Sequence, residues 1–108
     1  MADLLGRREQ LRADFLAQTA RIPFAELQRY FAAGQLVLVG DSLDLVDVAT
    51  ELAMDNAQRF QGWIDAGEIA PVDDATALAW LSDEKSLWAV LANPWVLVQD
   101  APQTRSPR

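Results

Sequence analysis

The chain has no cysteine, no histidine and a single lysine among its 108 residues. Each absence removes a class of chemistry. Without cysteine there is no disulfide framework and no thiolate to hold a metal or attack a substrate. Without histidine, the usual proton acceptor of serine and cysteine hydrolases is missing. General acid–base work would fall to carboxylates, to Lys85 or to Tyr30. No glycine-rich phosphate loop occurs, and no apolar run approaches the roughly 20 residues that span a bilayer. Residues 1–15 carry no unbroken apolar segment behind their charges, so they do not read as a secretory signal. Together these absences point away from an enzyme. They predict a cytoplasmic protein with no cofactor, no metal and no membrane partner.

What is present is an ordinary globular composition, 51% apolar and 23% charged, on a length that suits one domain with its own core. The charge is uneven. Between residues 41 and 84 stand eleven acids (Asp41, Asp44, Asp47, Glu51, Asp55, Asp65, Glu68, Asp73, Asp74, Asp83, Glu84) and one base, Arg59. Residues 1–29 hold five arginines, Arg7, Arg8, Arg12, Arg21 and Arg29, against four acids. An acidic middle repels phosphate backbones, so nucleic acid is not an expected partner; a basic protein surface is. The plainer reading is that these acids keep the domain soluble.

The most continuously apolar stretch is Leu87–Gln99, two Val- and Trp-bearing runs parted by Asn93-Pro94, and it reads as two buried strands. A two-residue turn there would place Pro94 where a cis bond is required; a wider loop or one kinked edge strand are the alternatives. Upstream, residues 3–20 read as a helix with Leu4, Leu5, Leu11, Phe15 and Leu16 on its apolar side. Pro23 opens a second helix, residues 24–33, which Gly34 stops. Residues 35–39 form a strand, and Ser42 or Asp44 caps a helix over 44–54. Asp55-Asn56 breaks the chain before a further helix to Ala66, buried through Phe60, Trp63 and Ile64. Residues 68–72 can be a strand, confined to an edge by Pro71. Asp73 and Asp74 cap a last helix to Ser82, with Leu78, Trp80 and Leu81 on or near its inner side, and residues 100–108 read as a loose tail.

Gly40-Asp41-Ser42-Leu43 spells the signature of the GDSL esterases, but a chain without histidine cannot complete that triad, so Ser42 reads as a turn residue. Asp44, Asp47, Glu51 and Asp55 recur at helical spacing and stack along one helix face. One straight helix cannot wrap a cation. The stripe therefore reads as a solvated face, or as a docking surface for a basic partner or a second copy. Trp63, Trp80, Trp88 and Trp95 read mainly as core, with one ring reaching a contact surface. The segment 46–72 is also similar in pattern to a helix–turn–helix followed by a wing. Its reading helix would offer DNA only Asn56, Gln58, Arg59 and Gln61, beside Asp65, too few phosphate contacts for nucleic-acid binding.

Thr19–Phe24 with Glu26-Leu27, Phe31–Gly34, Leu43–Val46 with Val48-Ala49, Trp63 before Gly67, and Pro94–Gln99 jointly resemble an uncharacterised bacterial family, domain of unknown function 2288. The resemblance covers roughly residues 10–99; Phe24 stands where that family is expected to favour Trp. It implies an intact fold and a bacterial cytosolic setting, and no activity.

The expectation is an α+β domain over residues 1–99: four or five helices on a small, mostly antiparallel sheet of three to four strands, with a winged-helix-like arrangement as the alternative. Its expected role is a non-enzymatic interaction or self-associating module; a winged-helix-like regulator and a carboxylate-based enzyme are the competing readings. Millimolar calcium or magnesium is expected to leave the melting temperature unchanged; a rise of several degrees would assign the Asp44–Asp55 acids to a metal.

Overall fold

The computed structural model describes residues 2–100, with the side chains of residues 2–5 outside the description. In chain order the elements are α1 (Ala2–Gln18), β1 (Ala20–Pro23), α2 (Phe24–Ala32), β2 (Leu36–Val39), α3 (Leu45–Ala53), α4 (Ala57–Asp65), β3 (Ile69–Pro71), α5 (Asp74–Ser82), β4 (Ser86–Ala92) and β5 (Trp95–Gln99). The fold is α+β. Its five-stranded sheet has the order β1-β4-β5-β2-β3, antiparallel except where β2 runs parallel to β5.

Two central strands explain the apolar run. β4 and β5 form a hairpin around a cis Asn93-Pro94 bond, as the two-residue turn requires. Helices cover both faces of the sheet, so residues on both pleats of these strands are buried, with Leu91 and Trp95 near the turn left exposed. Val37, Val39, Val90, Ala92 and Leu97 face Phe15 of α1 and Val48 of α3. Leu36, Leu87, Ala89, Val96 and Val98 face Phe24 and Leu27 of α2 and Trp80 of α5. Phe24 meets Trp80 edge-on at 5.7 Å between ring centres, a favourable aromatic geometry. A sheet covered on one side would have shown alternation; these strands show none, because both pleats are core.

Helix ends follow local chemistry. Asp44 Oδ1 accepts the N–H groups of Val46 and Asp47 at 2.9 and 3.4 Å, Asn56 caps α4, and Asp73 caps α5 through Thr76 at 2.8 Å. α2 ends at Gly34 (φ 76°) and α4 at Gly67 (φ 76°). In each, the next N–H reaches back five residues, Gln35 to Tyr30 and Glu68 to Trp63. Asp55 (φ 62°) and Glu84 (φ 53°) make the same reversal after α3 and α5 without glycine.

Three expectations are corrected. The sheet has five strands: Ala20–Pro23, read as the end of a helix and a lead-in, pairs with β4 along the sheet's edge. Apolar residues placed inward lie outside, Leu16, Leu78, Leu81 and Ile64 among them. No wing follows α4, because β3 pairs with β2 and runs on into α5. Pro71 does sit on an edge strand. The tail expected over 100–108 lies outside the described residues apart from Asp100, whose Oδ1 is 3.1 Å from Lys85 Nζ.

Leu97 is fully buried, whereas Leu91, in the neighbouring strand, is exposed. Leu97→Ala is therefore expected to cost about 3 kcal/mol and Leu91→Ala less than about 1 kcal/mol, read by urea denaturation. Equal losses would contradict the two-faced burial.

Candidate functional site

The four carboxylates expected in one stripe do not share a surface. Asp44 precedes α3 and caps it. Asp47 pairs with Arg12 of α1. Asp55 lies beyond the helix in a left-handed turn, exposed. Glu51 is buried, its side chain only 5% exposed. It receives Arg8 of α1 at both oxygens, Asn56 Nδ2 at 3.0 Å and Arg59 at 3.3 Å. The uneven charge of the sequence thus has an internal answer: the arginine-bearing first helix lies along the acidic third one. The basic surface expected to meet Asp47 and Glu51 is part of the same chain.

Bonding to Arg8 holds the Glu51 carboxyl below its ordinary pKa; burial opposes this, and Asn56 and Arg59 reinforce it. Asp73 is likewise lowered, through the Thr76 N–H and hydroxyl it accepts from. Neither carboxyl is poised for proton transfer near neutrality, and among the described residues no three acids approach closely enough to share an ion.

Ser42 does line an open cleft of about 410 Å³ with Thr19, Asp41, Asp44, Trp88 and Gln99. Gln99 Nε2 donates to the Gly40 and Leu43 carbonyls at 2.8 and 2.7 Å, pinning this loop to the end of β5. Arg21 lies 5.6 Å from the Trp88 ring centre, and Trp88 Nε1 is buried without a partner. Asp44, which lines the cleft with Ser42, has its Oδ1 engaged by two helix N–H groups.

The cleft of a different character is one that sequence reasoning missed. Val37, Phe60, Ile64, Ile69, Ala70, Pro71 and Trp95 enclose about 210 Å³ between α4 and the β3 edge, with almost no polar atom in the lining. Trp95 is 37% exposed and Ile64 42%, although each belongs to a large apolar type that burial favours. The signal lay in the i, i+4 pair Phe60 and Ile64, which was read as core-facing. On the opposite face of the sheet, α5 leaves Leu78 65% exposed beside Leu81. These two leucines line a second, mostly apolar hollow of about 320 Å³ between α2 and α5, which Phe24, Phe31, Gln28 and Asp74 share. Of the residues a DNA-reading α4 would use, Arg59 turns to Glu51 and over Trp63, 5.1 Å from the ring centre, and Asn56 is spent on its cap and on Glu51.

Among the described residues, no helix is long and apolar enough to cross a membrane. Residues 10–100 match the model of a family described as a protein of unknown function (DUF2288). The solution structure of PA1075 from Pseudomonas aeruginosa, solved by NMR, is similar: 37% identity over 92% of this chain and 91% of that one, with a TM-score of 0.76. Among curated proteins, none matches.

A folded pKa below the unfolded one means that Glu51 stabilises the fold above the unfolded value and loses that effect as pH falls through the folded one. Glu51→Gln is expected to destabilise by about 1–2 kcal/mol at pH 7. The gap to wild type should narrow below about pH 4, followed by urea denaturation across pH. A gap independent of pH would contradict the pairing.

Proposed function

We propose, on the premise that the chain belongs to the DUF2288 family of proteins of unknown function, that it is a non-enzymatic protein-interaction module meeting its partner at the Trp95 cleft. One observation carries this reading: an exposed Trp and an exposed Ile flank a concave, almost wholly apolar surface. Leaving such groups in water forfeits roughly 25 cal/mol for each Å² of apolar area. Trp rings at the centre of such patches commonly carry most of a binding energy. Also in support, three of the carboxylates are otherwise engaged: Glu51 in ion pairs, Asp44 and Asp73 in caps. The partner is a protein, because the cleft is smaller than the ~300 Å³ at which drug-sized ligand sites begin and lacks the polar groups that orient a metabolite.

A second reading is self-association through α5. It is favoured by Leu78 and Leu81, which α5 leaves exposed at the mostly apolar hollow they share with Phe24 and Phe31.

A photo-crosslinking residue at Gln61, beside the cleft, is expected to give a discrete adduct in cells that is lost when Ile64→Glu is added. The same residue at Leu78 should give none. Adducts at twice the chain's mass from position 78 alone would overturn the cleft in favour of α5; no Ile64-dependent adduct from position 61 would also overturn it.

A further inference from the structure

We infer that the Trp95 cleft takes an amphipathic helix that brings one bulky apolar side chain flanked by lysine or arginine. This rests on the reading of the cleft as a docking surface and adds the chemistry of its occupant. A strand is disfavoured by the neighbouring edge. β3 is three residues long and ends on Pro71, which has no N–H to offer a new ladder. A helix needs no such ladder; it needs a groove for its apolar face, and α4 with the sheet edge supplies one.

The charge around the groove selects the sign of the occupant's rim. On α4, Gln61 and Asp65 stand one position beyond Phe60 and Ile64 and are joined by a 2.9 Å hydrogen bond. Asp65 and Glu68 adjoin the lining residues Ile64 and Ile69 in the chain. Among the described residues neither is in an ion pair. The one base of α4, Arg59, bonds to Glu51 and lies over Trp63. Two uncompensated acids thus stand beside a carbon-lined groove. Opposite charge steers association and fixes orientation. A second copy fits poorly. The chain carries a net charge of −7, and a two-fold pairing would set these same acids against one another.

The test uses the full chain and two dye-labelled 15-residue designed helices with the same leucine stripe, one with lysine on its polar face and one with glutamate. Binding is followed by fluorescence anisotropy. The lysine helix is expected to bind at least tenfold more tightly than the glutamate helix and to weaken as salt rises. Ile64→Glu and Trp95→Ala should each weaken it at least tenfold with melting temperatures near wild type, and Asp65→Lys several-fold. Three results would overturn the inference. The first is equal binding of both helices; if Ile64→Glu still abolishes both, the docking surface stands and only the basic occupant falls. The second is unchanged binding of the lysine helix to Ile64→Glu and Trp95→Ala, which places it on the acids at large. The third is a dimer in sedimentation that Ile64→Glu dissociates, which makes the occupant another copy.

Discussion

The structure depends on β5 lying in the middle of a sheet that is covered on both faces. Val96, Leu97 and Val98 are buried in alternate directions, so one five-residue strand anchors both halves of the core. Its two ends do different things. At one, Gln99 holds the carbonyls of Gly40 and Leu43 and so fixes where α3 begins. At the other, Trp95 emerges from the core and helps wall the apolar cleft. Fold and candidate surface are thus set by the same strand.

The ionic layout follows from that placement. Because α1 and α3 cover the same face of the sheet, the arginines of the first helix reach the acids of the third. Glu51 is buried beside them, satisfied by Arg8, Asn56 and Arg59, and a buried carboxylate without such partners would be very costly. This removes Glu51 from the surface that remains for other molecules, while Asp47 stays half-exposed beside Arg12. What is left exposed in the middle of the chain is still acidic, and its one base, Arg59, is paired with Glu51.

Much of the fold was legible. Leu87–Gln99 announced its hairpin by composition and by Asn93-Pro94, and Asp44, Asn56 and Asp73 announced the starts of α3, α4 and α5 by their side-chain oxygens. Residues 20–23 did not announce β1, because four residues containing Arg and Pro carry no period to read. The spacing of Asp44, Asp47, Glu51 and Asp55 was true of an ideal helix, but α3 is only Leu45–Ala53. The first acid became its cap and the last its exit turn. Spacing along one helix also says nothing of which neighbour covers it. That the arginines of α1 lie there is a tertiary fact, and so is the exposure of Ile64, whose apolar face overhangs the sheet's edge. The cleft was illegible for the same reason: it forms from α4, β2, β3 and β5, which no local pattern brings together.

Native-state hydrogen exchange tests the central claim most directly. If β5 is the strand on which both halves of the core rest, the amides of Val96, Leu97 and Val98 should exchange only through global unfolding. Those of β1 and β3 at the edges should exchange through smaller openings. Exchange of the β5 amides as fast as those of the edge strands would contradict the account.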